Sequence, residues 1–213
     1  MGSSPIASLS GSCFYVIFID DHSRFTWFYP LRHKSDFFNI FIRFQKLVEN
    51  QFSRTIKAFQ ADSGTEFTHL KFKHHLVQCG IQQRLSCPNT PNQNGTAKRK
   101  HRHITETGLT LLFHSQAPSS LWVEAFATAT YVINRLSTPV LHDTSPFEVL
   151  YGKVPSYSML CTFGCLCFPY LRNYANNKLS PKSIPCVFVG YSTLYKGFHF
   201  WIIALSTCTS HVM

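Results

Sequence analysis

Two stretches of polar side chains have residue types and positions that suit chemistry on phosphates. Asp62 directly follows a β-prone run over 56–61, and a carboxylate at a strand end is a hard oxygen ligand of the kind Mg²⁺ prefers. A basic run over 98–103 (Lys-Arg-Lys-His-Arg-His) stands at the start of a helical pattern. Orphan amides at a helix start and nearby cations both attract phosphate. The alternative for the basic run is a solvated helix face, where cations oppose the helix dipole.

A third candidate is a cysteine cluster, Cys161, Cys165 and Cys167, in an aromatic, apolar stretch. Alternation along a strand places Cys165 and Cys167 on one face. A structural zinc site needs four ligands, usually as two close pairs, so the pattern favours buried structural cysteine over metal binding. A zinc-binding or protein-binding adaptor stays open as an alternative.

Charge and hydropathy limit the partners. The 213 residues carry a formal net charge of +10, with 20 Lys and Arg against 10 Asp and Glu, which suits a polyanion such as nucleic acid or an anionic surface. The longest apolar runs, such as 13–19, fall far short of the ~18 residues of a membrane span. The N-terminus lacks a secretory pattern, and the eight cysteines are typical of reduced thiols. We expect an intracellular protein, nuclear or cytoplasmic, that is neither secreted nor bound to membrane.

The hydrophobic pattern predicts an α/β domain followed by a small β domain. Predicted strands lie at 14–19, 25–31, 56–61 and 81–85, and predicted helices at 37–52 (with Ser35 as N-cap), 69–79 (with Gly80 as C-cap), 96–113 and 118–136. Residues 137–158, with three prolines, read as a linker. Short strands at 162–169, 186–191 and 197–204 are typical of a small barrel. The expected division is therefore 1–136, 137–158 and 159–213.

Several of these segments, in order, resemble the integrase of copia-type retrotransposons. The resemblance begins at 18–24 (Phe-Ile-Asp-Asp-His-Ser-Arg), continues at 59–67 and is sharpest at 86–101. Residues 121–125, 131–135 and 145–148 are similar to the helices and linker behind the catalytic core. Residues 163–167 and 186–191 are similar to the SH3-like barrel that follows integrase in these Pol polyproteins.

The resemblance implies a ribonuclease-H-like fold and three carboxylates that hold Mg²⁺ for DNA joining. Asp62 matches the second carboxylate, with Glu66 outside the ligand set. The first would lie upstream of Met1, and the third falls at position 98, which is Lys98. Asp20 and Asp21 match a turn, where binding turn amides or pairing with Arg24 is the expected role. Mg²⁺ is therefore implied by the family and is not expected to bind productively at Asp62.

Two functions follow from the resemblance. The first is an inactive integrase fragment that still binds DNA non-specifically through Lys98, Arg99, Lys100 and Arg102, with Lys98, Arg102 and Thr105 on neighbouring helix faces. The second is an active strand-transferase with substitute carboxylates. Self-association is a further partner class. The implied fold is a mixed sheet that lacks its first, central strand, with two C-terminal helices and an SH3-like barrel. We expect strands 14–19 and 56–61 to have unpaired inner edges and the core to be marginally stable.

Overall fold

The computed structural model describes residues 1–87, 94–170, 179, 181–192, 197–202 and 207–211, the last of these by backbone alone. The strands are β1 (Gly2–Ser3), β2 (Phe14–Ile19), β3 (Thr26–Leu31), β4 (Ala58–Ala61), β5 (Gln82–Leu85), β6 (Leu166–Cys167), β7 (Cys186–Tyr191), β8 (Phe198–Ile202) and β9 (Thr207–His211). The helices are α1 (Phe37–Phe52), α2 (Thr65–Thr68), α3 (Leu70–Gln78), α4 (Gly95–Ser115), α5 (Trp122–Ile133) and α6 (Pro146–Tyr151), with 3₁₀ turns at 34–36, 119–121 and 139–141. Residues 88–93, between β5 and α4, lie outside the described residues.

The predicted hairpin of β2 and β3 is present as an antiparallel pair in continuous register from Phe14 to Ile19. Its turn is closed by Asp20, whose Oδ2 accepts the Ser23 N–H at 2.8 Å and the Ser23 hydroxyl at 2.7 Å. Asp21 forms an ion pair with Arg24, which adopts a left-handed conformation (φ 59°). The structural role predicted for Asp20 and Asp21 is confirmed.

The α/β part contains two separate sheets. One has the order β1-β2-β3, and the other is the parallel pair β4-β5. Helix α1 covers both, because Phe37 and Phe41 each contact Phe18 of β2 and Phe59 of β4. No strand among the described residues joins β2 to β4. The arrangement is an α/β fold in which, among the described residues, β2 and β4 belong to separate sheets.

Helix ends are set by local signals, most of which the sequence indicates. Gly80, at φ 67°, follows α3 as predicted, because the left-handed conformation is nearly free of strain for glycine. The prediction of Ser35 as N-cap of α1 is wrong. Ser35 lies inside the preceding 3₁₀ turn, and Asp36 immediately precedes α1, its Oδ2 accepting the His33 N–H at 2.9 Å.

The segment predicted as a linker contains a helix, α6. Its three prolines indicated a linker. Pro146, however, stands at the start of the helix, where the missing N–H has no intrahelical partner to lose. Ser145 caps it by accepting the Glu148 N–H at 3.1 Å, and Gly152 ends it at φ 65°.

Helices α4 and α5 pack against each other around a second core, which also includes Tyr15 of β2 and Val189 of β7. The C-terminal strands form an antiparallel sheet in the order β6-β7-β8-β9. The predicted strand at 162–169 is reduced to β6, and the predicted strand at 197–204 is present as β8, with residues 203–204 outside the described residues. The predicted barrel is seen, over the residues that are described, as an open sheet that packs on α5. No helix in the described ranges is long and apolar enough to cross a membrane.

Candidate nucleic-acid interface and the metal-ligand positions

Asp62 lies one residue beyond the end of β4 and is exposed. Its Oδ1 accepts the Gly64 N–H at 3.2 Å. Glu66, at the start of α2, lies beside the same glycine: a Cβ built on Gly64 would be 3.2 Å from Asp62 Oδ1 and 3.1 Å from Glu66 Oε2. The fold therefore places the two carboxylates next to one another, although the resemblance puts Glu66 outside the ligand set.

Lys98 is exposed in the first turn of α4, at the position where the resemblance calls for a third carboxylate. Within the described residues, no group of three or more His, Cys, Asp or Glu side chains could hold a metal ion. Mg²⁺ requires converging oxygen ligands, whereas the residues here are Asp62, its neighbour Glu66 and a cation at position 98. This donor set does not fit a two-metal centre.

The basic run occupies the first two turns of α4, and its cations differ in exposure. Lys98, Arg99 and Arg102 are exposed. Lys100 is half-buried beside Arg24, and burial first and the Arg24 charge second lower the pKa of its ammonium. Of the four residues predicted to contact DNA, three are thus exposed and Lys100 is half-buried.

Tyr15 of β2 fixes the opposite face of the same helix. Its ring stacks on His101 with centroids 4.9 Å apart, and its hydroxyl hydrogen-bonds the Thr105 hydroxyl at 2.9 Å. Thr105, which the sequence places on a helix face near those of Lys98 and Arg102, is thus turned towards the sheet. Burial, and then the charge of the N-terminal amine, lower the pKa of His101. No local pattern links residues 15 and 101, so the sequence did not reveal this contact.

The cysteine cluster lines a small apolar cavity of about 100 Å³, with Phe188, Phe198 and Phe200 among its other walls. The Sγ of Cys167 donates to the Cys186 carbonyl at 3.2 Å. Burial, followed by the neighbouring Cys165, raises the pKa of the Cys167 thiol to about 11. The Cys167 thiol thus lies in an apolar environment with one hydrogen-bond acceptor, and the structural role favoured by the sequence stays a prediction.

Several known proteins are similar to this chain in sequence or in structure. The family model of the retroviral polymerase SH3-like domain matches residues 165–210. The Pol polyprotein of Arabidopsis thaliana transposon RE1 is 50% identical over 190 residues, which is 89% of this chain and 13% of that protein. The corresponding protein of Nicotiana tabacum transposon TNT 1-94 is 38% identical over 200 residues, which is 94% of this chain and 15% of that protein.

Among solved structures, a chain of the simian T-cell lymphotropic virus intasome in complex with a PP2A regulatory subunit superposes with a TM-score of 0.54. It is 13% identical and covers 92% of this chain and 68% of that chain. A likeness at this identity concerns the fold alone. The chain spans about one seventh of the length of the curated relatives. Over the aligned residues, it belongs to the retrovirus-related Pol polyproteins of transposons, with SH3-like sequence at residues 165–210.

Proposed function

We propose that this segment is an integrase remnant that binds DNA without sequence preference through the start of α4 and no longer joins DNA ends. One observation carries the proposal. The exposed cations Lys98, Arg99 and Arg102 cluster on the first two turns of α4, and the first of them replaces the expected carboxylate.

The physical support for DNA binding is local. The first turn of a helix presents amides without intrahelical partners and the positive end of the dipole, and both favour phosphate. Three exposed cations on that turn and the next add to this field, within a chain of net charge +10. Contacts of this kind are to phosphates, so they carry no sequence information. Binding should therefore weaken steeply as salt rises.

The proposed loss of strand-transfer activity is supported by the side chains available to bind metal. In-line phosphoryl displacement by two metals needs carboxylates that bridge or flank both ions. Asp62 and Glu66 supply two acidic groups at one end of β4, and Lys98 brings a positive charge to the α4 side. The competing function is an active strand-transferase in which Glu66 substitutes for a lost ligand. The closeness of Glu66 to Asp62 is the observation in its favour.

The DNA test compares two triple variants of equal net charge. Lys98, Arg99 and Arg102 are replaced by Ala in one, and exposed cations of α1 and α3 (Lys46, Lys71 and Lys73) in the other. Affinity for a random duplex is measured between 50 and 200 mM salt. If each cation contacts one phosphate, the log–log slope should fall in magnitude by about 3 in the first variant. Equal slopes in the two variants would make the α4 cluster a solvated face.

The activity test incubates the full chain with terminal-DNA substrates and Mg²⁺ or Mn²⁺. We expect no strand transfer above a protein-free control. Transfer that disappears in Glu66→Gln and Asp62→Asn would establish the competing function, and the proposal of lost activity would be withdrawn.

A further inference from the structure

A pocket of about 390 Å³ lies between the turn at 8–12, the end of β3 and the first two turns of α1. This volume is in the range of sites that hold small ligands. Three separate segments bring polar groups to this one concave surface, which we call the α1 pocket. Its polar lining side chains are Ser10, Ser12, Arg32, Asp36, Asn39 and Arg43.

Two guanidinium groups line the α1 pocket without a counterion from the protein. Arg32 directly follows β3, and Arg43 lies in the second turn of α1. Both are exposed, and within the described ranges neither side chain forms an ion pair or a hydrogen bond. Asp36 lines the same pocket, but its Oδ2 accepts the His33 N–H at 2.9 Å and pairs with neither arginine. The α1 pocket therefore has a net positive charge and two cations available to an anion.

The turn at 8–12 adds hydroxyl donors. The Oγ of Ser10 lies 2.9 Å from that of Ser8 and 3.3 Å from that of Ser12. These two bonds use two of the three hydroxyl protons, so one proton is left to donate to another acceptor. The Ser8 Oγ also accepts the Ser12 N–H at 3.0 Å, which fixes the turn. Arg32 lies beside it, since a Cβ built on Gly11 would be 3.8 Å from the Arg32 Nε.

We propose that the α1 pocket binds a phosphomonoester, with Arg32 and Arg43 balancing its charge. A phosphomonoester has a charge of about −1.5 to −2 at neutral pH and three strong acceptor oxygens. Guanidinium forks match phosphate oxygens in geometry, and the Asn39 amide and a hydroxyl of the turn supply further donors. The first turn of α1 adds the positive end of the helix dipole. A carboxylate ligand, with one charge and two oxygens, would leave part of this donor set unused.

The probe is ribose 5-phosphate, titrated at low salt into the isotope-labelled full chain, with ribose as the uncharged control. We expect saturable shifts of the Gly11, Ser12 and Arg32 amide resonances with ribose 5-phosphate and none with ribose. Replacing Arg32 and Arg43 by Gln should weaken binding at least about tenfold.

The matched control for that double variant is Arg54→Gln with Lys57→Gln. It makes the same change of net charge at two exposed positions that do not line the α1 pocket, so affinity should stay within about twofold. The absence of saturable shifts in the unmodified chain would overturn the proposal, and so would equal weakening in the two double variants.

Asp36→Asn tests the position of the ligand in the opposite direction. Asn keeps an oxygen that can accept the His33 N–H, but it removes the negative charge that faces the pocket. Ribose 5-phosphate should therefore bind about twofold to fivefold more tightly. Arg43→Lys keeps the charge and removes the fork, so it should weaken binding although the net charge is unchanged. Unchanged affinity in both variants would place the ligand elsewhere and contradict the assigned site.

The source of the phosphate is distinguished with a short deoxythymidine strand that has or lacks a 5′-phosphate. This arm uses the chain in which Lys98, Arg99 and Arg102 are replaced by Ala, so its result does not depend on the proposed function. Tighter binding of the phosphorylated strand, lost in the Arg32 and Arg43 double variant, would support a nucleic-acid end as the source. Binding of ribose 5-phosphate without this preference would support a free sugar phosphate or nucleotide.

Discussion

Asn134, at the end of α5, binds the backbone of Thr26 at both ends of its side-chain amide. Its Oδ1 accepts the Thr26 N–H at 2.9 Å, and its Nδ2 donates to the Thr26 carbonyl at 2.8 Å. Both residues are buried. Thr26 begins β3, whose other edge pairs with β2, so Asn134 takes the place of a neighbouring strand at this point. One side chain thereby closes the outer edge of the sheet and fixes α5 against it.

The first prediction follows from this pair of bonds. Asn134→Ala leaves the buried N–H and C=O of Thr26 without their partner, and each such group costs about 1–3 kcal/mol. We expect the free energy of unfolding to fall by about 2–4 kcal/mol in urea denaturation. Asn50→Ala, on the exposed face of α1, is the matched control and should change stability by less than about 0.5 kcal/mol. A loss as small as in the control would mean that water replaces the amide.

The second prediction concerns the contact of α4 with α5 at Gly108. A Cβ at this position would lie 2.3 Å from Cδ1 of Phe126. Ala normally stabilises a helix by about 1 kcal/mol relative to Gly, but overpacking of a core costs about 1–3 kcal/mol. Gly108→Ala should therefore lower the free energy of unfolding.

Gly95→Ala in the same helix provides the control for Gly108→Ala. There, among the described residues, the atoms nearest to the new methyl group belong to the flexible guanidinium of Arg99, at 3.2 Å, so stability should be unchanged or slightly higher. If both substitutions stabilise the chain equally, the two helices do not pack as closely as the structure indicates.

The sequence predicts local structure here better than it predicts long-range contacts. Helix α1 and the cap at Gly80 follow from apolar spacing and glycine chemistry, which act within a few residues. The bonds of Asn134 to Thr26 span 108 positions, and a single sequence carries no periodic signal for such a pair. Helix α6 was missed because proline can stand either in a loop or at a helix start. The adjacency of Glu66 and Asp62 depends on the turn after β4, which motif matching did not resolve.

The third prediction is a pH dependence of stability. The pKa of His101 is lowered in the fold, by burial and then by the N-terminal amine, below the value of about 6.5 of a free imidazole. Between those two pKa values the unfolded chain binds more protons, so stability should decrease as pH falls from 7.5 to 5.5. His101→Phe keeps a ring against Tyr15 and removes the titration, so the decrease should become smaller. Burial also lowers the pKa of His199, so part of the decrease should persist. Denaturation midpoints are measured for both chains across this pH range. The same dependence of the midpoint on pH in the variant and in the unmodified chain would mean that His101 plays no part.

The fourth prediction is that Lys98→Glu alone does not create strand-transfer activity. The change supplies one carboxylate on the α4 side, while Asp62 and Glu66 at the end of β4 are the other acidic groups that the described site offers. We expect no product above the unmodified chain with Mg²⁺ or Mn²⁺, in the terminal-DNA assay already described. Folding is checked by circular dichroism, since Lys98 is exposed and its replacement should leave the fold intact. Product formation by this single variant would show that the remaining carboxylates suffice, and the account of the lost metal centre would be wrong.

The last prediction concerns the thiols of the C-terminal sheet. Alkylation needs the thiolate, and burial next to Cys165 raises the pKa of Cys167 to about 11. At pH 7.5, a thiol of this pKa has roughly 300-fold less thiolate than an ordinary cysteine with a pKa of about 8.5. Iodoacetamide followed by peptide mass spectrometry should therefore modify the exposed Cys161 long before Cys167. The order should disappear in urea, where both thiols are solvated. Rapid labelling of Cys167 in the folded chain would mean that the site stabilises or exposes its thiolate, and the account of a buried, protonated thiol would be wrong.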